Sequence, residues 1–454
     1  MAVQKDMTKG SPMRLIVQFC IPVMIGNIFQ QVYSMTDTII VGQCLGTGAL
    51  AAVGSTGTIS FLILGFTMGC CIGFCVPIGQ KFGAGNQDGV RRAIGNSVTL
   101  SVIITAFISL FSTLFMRTLF AVMHEPADIY EEAYEYIIII CAFALAQTIY
   151  TLLACILRSL GNSRVPVMFL IFSAALNIFL DLLFILSFNM GVAGAAWATI
   201  LAQAIAAALC AVYMYAKMPE YRLSFRDFLP DRSIAMSEIR LGIPMGFQFS
   251  ITAIGAVMVQ TALNLLGSTA VAAFTAGQKI EALIEQIFGG IGASVASFTA
   301  QNYGAKRIDR IKAGARAATI LSVISAGISS IICIFFGPSM THLFVTENLE
   351  EIVPMVSTYL NAVSTGMILL ALIFEYRNII QGMDNSFLPL CGGIIELAAR
   401  AVIALIAQKR MSFSLVCLAN PLAWFTAGSF LVICYLVIMK RRYPEVRASG
   451  IHEE

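Results

Sequence analysis

The sequence predicts an all-α polytopic membrane protein of about twelve transmembrane helices, arranged as two pseudo-symmetric six-helix bundles. Three observations carry that expectation. Over 454 residues, 58% are hydrophobic and only 12% charged, with a mean hydropathy of +0.84, too little polar surface for a soluble chain of this length. The apolar residues gather into runs long enough to cross a bilayer. Polar motifs at the ends of those runs recur halfway along the chain.

A spanning helix needs about 20 apolar residues. The first six runs cover 15–42, 50–78, 93–120, 133–158, 165–188 and 191–216, and the second six cover 239–266, 269–299, 315–337, 353–381, 387–408 and 413–439. The polar break between the sets divides the chain into a first lobe (1–216), a linker (217–238), a second lobe (239–441) and a tail (442–454). The run after Lys5, Asp6, Lys9 and Arg14 is too long for a signal peptide and lacks a small-residue cleavage site, so the N-terminus is expected to stay uncleaved.

Basic residues set the orientation. Loops from even to odd spans carry Lys81, Arg91 and Arg92, then Arg158 and Arg164, then Lys217, Arg222, Arg226, Arg232 and Arg240, then Lys306, Arg307, Arg310, Lys312 and Arg316. Lys440, Arg441, Arg442 and Arg447 join them at the C-terminus. The opposite loops hold Glu125, Asp128, Glu131 and Glu132, and Glu347, Glu350 and Glu351. Both termini are therefore expected in the cytoplasm, with the chain in the cell membrane. Lys409 and Arg410 run against this pattern in the last outer loop. The net charge of +3 is small and segregated by loop, which argues topology and not nucleic-acid binding.

The two sets of six share an ancestry that can be read directly. Gln80, Gly83, Ala84, Asp88 and Arg91 recur 221 positions on as Gln301, Gly304, Ala305, Asp309 and Lys312. Asn162, Ser163 and Pro166 recur as Asn385, Ser386 and Pro389, and Pro22 as Pro244. Duplication of a unit with an even number of spans gives a pseudo-two-fold axis along the membrane normal and a cleft between bundles, a geometry suited to alternating access.

A charge in hydrocarbon costs at least ~2.5 kcal/mol, so each intramembrane acid calls for a partner or a wet cavity. The candidates are Asp37, Asp181, Glu281, Glu285, Glu375 and Glu396. Asp37 and Asp181 each lie roughly 10 Å below the outer surface at ~1.5 Å per residue. Asn177 is one turn from Asp181 on the same face, and Thr199 enters from the same side on the next span. Two carboxylates, an amide carbonyl and a hydroxyl can bind Na+ or hold a shared proton. The alternative is that both aspartates serve interhelical hydrogen bonds. Pro22 removes the bond to the carbonyl of Gln18, which permits a hinge or a static kink. Glu281 and Glu285 share a face of span eight, offering a cationic substrate or coupling ion a negative surface unless Lys279 neutralises one of them. Glu375 with Arg377, and Glu396 with Arg400, read as structural ion pairs.

The twelve cysteines fall mainly in apolar runs without CxxC pairs or histidine neighbours, reading as buried small side chains with no metal site. His124, His342 and His452 fall in loops or the tail. No phosphate loop, dinucleotide fingerprint or nucleophile–base set is present, so no cofactor and no enzyme activity are expected, and energy must come from an ion gradient.

In their order and duplicated spacing, these residues resemble the multidrug and toxic compound extrusion (MATE) family over the full length. The resemblance rests on Pro22, Gly26, Asp37-Thr38 and Val41-Gly42, on Gly79-Gln80 with Gly83-Ala84-Gly85, and on Arg158 to Pro166. It continues through Asn177 with Leu180-Asp181, Gly191 to Trp197, Gln301 to Ala305 and Gln381 to Pro389. It implies a two-lobed, V-shaped fold that exports organic cations in exchange for H+ or Na+, with Asp37, Asn177, Asp181 and Thr199 matching the family's first-lobe cation site. Thr252 stands where the NorM-like branch carries an acid, so the pattern is closer to the DinF-like branch. The expected protein is a monomeric antiporter of small lipophilic organic cations. The alternative is a lipid-linked oligosaccharide flippase of related architecture, which should line its cleft with Arg or Lys to hold pyrophosphate.

Overall fold

Helix dominates because, in hydrocarbon, every backbone N–H and C=O has to be satisfied within its own segment. The computed structural model describes residues 5–123, 129–342, 345 and 348–443. Among them, α1 (Pro12–Leu45), α2 (Thr47–Gly83), α3 (Gln87–Met123), α4 (Tyr130–Ala142), α5 (Ala144–Ser159), α6 (Arg164–Leu182) and α7 (Gly191–Lys217) come first. After the linker follow α8 (Arg232–Asn264), α9 (Ser268–Gly304), α10 (Ile308–Thr341), α11 (Leu349–Gly382), α12 (Phe387–Arg410), α13 (Phe413–Cys417) and α14 (Ala419–Arg442). His124, Glu125, Asp128, Glu347, Arg447 and His452 lie outside the described residues.

Eleven of these segments are long and apolar enough to cross a membrane alone, α13 and α14 counting as one, and α4 with α5 makes a twelfth across a 48° bend. The expected count of spans is therefore met. The bend at Phe143 has no proline or glycine to announce it in the sequence.

The duplication extends to backbone conformation. The α1–α2 turn uses Gly46 at φ 91° and the α8–α9 turn uses Gly267 at φ 94°, left-handed values that glycine adopts without a Cβ penalty. Where Gly85 closes the turn after α2 at φ 71°, Lys306 takes up φ 58° after α9, and Gly161 at φ 83° is answered by Asp384 at φ 65°. The repeats thus keep their turns even where glycine has been replaced.

Cα packing gathers the chain into two compact units. One holds Ile25–Ser250 with the residues just ahead of Met7, and the other holds Met7–Met24 with Ile251 onward. These cuts fall inside α1 and α8 and follow packing, a different criterion from the repeat that sets the lobe boundaries. In the first unit α2 packs on α3, α4 and α5, and α7 packs on α4, α5 and α6. The leading half of α8 closes on α2 through facing small-residue pairs, Gly69 with Gly73 and Gly242 with Gly246. A Cβ at Gly69 would stand 2.5 Å from the Met245 carbonyl oxygen, and one at Gly73 would run into the Gly242 backbone. Close approach of this kind supplies the van der Waals packing that replaces hydrophobic drive in lipid.

In the second unit α11 is central, packed on α9, α10 and α14, around buried Phe274, Phe288, Phe298, Tyr359 and Trp424. The leading half of α1 meets α9 in the same manner, Met24 occupying the space over Gly290 and Cys20 reaching Ser294. Most cysteines are indeed buried, Cys44 being exposed and Cys391 and Cys434 intermediate.

Candidate functional site

In the first unit, three helices bring the four expected residues toward one another. Asp181 sits in the last turn of α6, immediately ahead of a π-helical turn over Leu183–Ser187. Single π turns inside helices are frequent at functional sites, because they re-aim side chains and free carbonyls. Asn177, one turn earlier, donates its amide to the Thr199 hydroxyl of α7 at 3.4 Å. Asp37 of α1 faces Asp181 closely enough for direct carboxyl–carboxyl interaction.

Burial is nearly complete, with Asp37 9% exposed and Asn177 and Asp181 0%. Yet both oxygens of Asp181, Oδ1 of Asp37 and Oδ1 of Asn177 have no hydrogen-bond donor among the described residues. Orphaned buried oxygens are costly and ask for a reason. Here the shortage is all of one kind, since four acceptor atoms lack donors and none of the flanking groups is a cation. Such a cluster suits a proton or a hard monovalent cation, which takes oxygen ligands.

Two groups around the pair escaped sequence reasoning. Tyr33, within hydrogen-bond reach of Thr199, and Tyr136 of α4 both stand near Asp37 and Asp181. Tyr33 was within reach, being one turn before Asp37 on the same face, whereas nothing in the sequence links Tyr136 to α1.

The second unit carries a different arrangement. Glu281 on α9 is buried and accepts a hydrogen bond from the Tyr359 hydroxyl of α11. Gly277, one turn earlier, leaves room for the Tyr359 ring, which packs edge-on against Phe274 with centroids 4.6 Å apart. Lys279 is exposed and makes no ion pair with either glutamate among the described residues, which leaves the alternative of internal neutralisation without a contact. The charges near Glu285 are those of Glu281 on its own helix and of Arg400, Glu396 and Arg377 from neighbouring helices. Arg400 pairs with Glu396 at 2.7 Å, as its i, i+4 spacing predicts, and Arg377 approaches the other oxygen of Glu396 at 3.5 Å. Arg377 thus serves Glu396, while Glu375 accepts from Thr319 at 2.6 Å. Pro22 lies within a continuous α1.

A bundle of about twelve apolar helices with an unpartnered carboxylate pair inside it defines a polytopic membrane transporter. The comparisons make the class specific. The MatE family profile matches residues 22–183 and 244–406, one match to each half of the duplication, and the chain belongs to the MatE family. Its members are transporters and not enzymes. The chain is 27% identical over 354 residues to the probable multidrug resistance protein YoeA of Bacillus subtilis, covering 76% of each chain. It is likewise 27% identical over 346 residues to the probable multidrug resistance protein YpnP of the same organism, covering 75% of this chain and 76% of the other. A crystal structure of MATE in complex with MaL6 superposes with a TM-score of 0.88 at 23% identity, covering 98% of this chain and 99% of that one, a likeness of fold.

Proposed function

We propose that this protein is a secondary active multidrug exporter that moves small lipophilic organic cations out of the cell in exchange for H+ or Na+ by alternating access. The observation that carries the reading is the Asp37–Asp181 pair, buried and close, with three of its four oxygens lacking donors. Two such carboxylates repel each other when both are ionised, so a proton or Na+ arriving between them is bound strongly in one state of the protein and released when the pocket changes. Asn177 and Thr199 complete the oxygen set and Pro22 supplies the hinge. Linkage then requires that the ion weaken drug binding and the drug weaken ion binding. One cation entering down the potential supplies about 2.3 kcal/mol per 100 mV, which exceeds the ~1.4 kcal/mol of a tenfold gradient of a neutral drug. A cationic drug needs a second ion or a chemical gradient.

In the second unit Glu281 and Glu285 offer a negative surface to a cationic substrate or a further ion, with Lys279 outside that function. Thr252, in place of an acid, supports the DinF-like branch and coupling through the first lobe. The protein works as a monomer in the cell membrane with both termini cytoplasmic, as the positive-inside distribution supports. The names of the Bacillus relatives agree with drug export, and the predominance of buried acids over buried bases disfavours a flippase that grips pyrophosphate. The test is dye efflux from vesicles under imposed proton or sodium gradients. Wild type is expected to respond to one gradient, and Asp37→Asn and Asp181→Asn to lose that response. Undiminished gradient-driven efflux in both variants would remove the site.

A further inference from the structure

The linker between the repeats is not a loose tether. Its short 3-10 turn over Phe225–Phe228 is anchored to the N-terminal third of α3 through a buried carboxylate and flanking hydrogen bonds. Asp227, 4% exposed, accepts from the Ser224 backbone N–H at 2.7 Å and hydroxyl at 2.8 Å and from Arg91 Nε at 3.1 Å. The Thr99 hydroxyl donates to the Phe228 carbonyl at 2.8 Å, and the Asp231 N–H donates to Asn96 at 2.9 Å. A Cβ at Gly95 would run into the Asp227 carbonyl, so the turn lies directly on the helix backbone. Below it, Glu238 is fully buried and takes the Ser97 hydroxyl at 2.9 Å.

This rigid seating holds outward what a soluble linker would hide. Phe225 is 85% exposed, and Leu229 and Met236 each 59%. Leu229 lines a cleft of about 440 Å³, within the roughly 300–1,000 Å³ range of small-molecule sites, and Phe225 stands between its lining residues Ser224 and Arg226 in the chain. Arg91, Arg92, Arg226, Asp227 and Asp231 contribute its charges. Asp227 is committed to Arg91, and Asp231 lies 4.0 Å from Arg92. Arg226 has no ion pair among the described residues, which leaves the cleft with an excess of guanidinium.

We propose that this cleft and its apolar rim form a docking site for an anionic phospholipid of the surrounding bilayer, with Arg92 and Arg226 on the phosphodiester and Leu229 and Phe225 toward the acyl chains. Guanidinium forks match phosphate oxygens, and exposed aromatic and aliphatic groups next to basic ones at the ends of spans sit at the headgroup level. A free phosphate would use the arginines and leave the apolar rim without a purpose. The seating on α3 keeps the two halves of the site in register. The proposal is independent of what the protein transports.

The test uses the full chain in nanodiscs of phosphatidylcholine doped with phosphatidylglycerol. Native mass spectrometry is expected to find phosphatidylglycerol retained over phosphatidylcholine, with retention falling about tenfold or more in Arg92→Ala/Arg226→Ala, since each basic group near the surface contributes about fivefold. In Phe225→Trp, which leaves the arginines in place and covers the case that the double variant misfolds, the added emission is expected to be quenched more by bromine on phosphatidylglycerol chains than on phosphatidylcholine chains. Inorganic phosphate is expected not to compete. Equal retention in a folded double variant, equal quenching by the two brominated lipids, or displacement by inorganic phosphate would each overturn the proposal.

Discussion

The amide of Asn177 donates to the hydroxyl of Thr199 across 3.4 Å, which leaves the Asn177 carbonyl oxygen without a donor beside the orphaned oxygens of Asp181. The bond fixes which end of the amide is offered to an incoming cation. Thr199→Val removes the hydroxyl and frees the amide to turn. The half-saturating ion concentration for efflux is expected to rise about fivefold, the equivalent of one hydrogen bond at ~1 kcal/mol, with maximal rate retained. Titrating efflux against the coupling ion measures it.

Tyr359→Phe takes the hydroxyl from buried Glu281 and leaves a carboxylate with one partner fewer. Thermal unfolding in detergent is expected to show a loss of about 1–3 kcal/mol, the cost of an unsatisfied buried group. An unchanged midpoint would mean that Glu281 has another partner waiting.

Arg400 stands in room that Gly255 leaves for it, where a Cβ would lie 3.1 Å from its Nη1. Arg400→Met breaks the 2.7 Å pair with Glu396 and leaves that carboxylate to Arg377 alone at 3.5 Å, so the loss is expected to fall below the ~3–5 kcal/mol of a buried charge left with no partner. Adding Glu396→Gln is expected to recover part of that loss. A denaturation double-mutant cycle reads the coupling, and additive effects would count against a working pair.

Gly73→Leu forces α2 away from the backbone of α8 and is expected to abolish the yield of monodisperse protein, since overpacking alone costs about 1–3 kcal/mol before any helix moves. Gly54, on the same helix, has nothing within 4 Å of an added Cβ. Gly54→Leu is expected to purify like wild type, which separates packing from a general cost of losing glycine.

Asp227 lies outside the spans. Burial pushes its carboxyl up, but the Ser224 N–H and hydroxyl and the Arg91 guanidinium outweigh that and hold it below the usual carboxylate range. A depressed folded value contributes stability that is fully present above the unfolded value, about 3.9, and is lost as pH falls through the lower folded value. Hydrogen exchange in the linker turn, corrected for intrinsic rates, is therefore expected to stay slow from neutral pH down to about 4 and to accelerate only in stronger acid. Asp227→Asn is expected to exchange fast already at neutral pH.

Much of the molecule is legible in its sequence. Lipid imposes a near-uniform rule on composition and length, so the spans declare themselves, and the 221-residue offset from Gln80 to Gln301 declares the duplication. The acids at risk inside the membrane were countable, and the i, i+4 pairing of Glu396 with Arg400 followed from helix geometry alone. What sequence reasoning assigned wrongly was the partner of Arg377, which meets Glu396 across helices and not its near neighbour Glu375.

By itself, then, the sequence determined the class of solvent, the number and order of the spans, the repeat and the list of intramembrane acids, because each of these is legible along the chain. Only the tertiary structure decided that Tyr359 satisfies Glu281, that Tyr33 and Tyr136 surround the aspartates, that α4 and α5 bend at Phe143, and that the linker seats Phe225 outward on α3. Those depend on how helices rotate and approach one another. In lipid that rotation is set by which small residues let backbones touch, a contact that involves two segments at once and leaves no periodic mark on either.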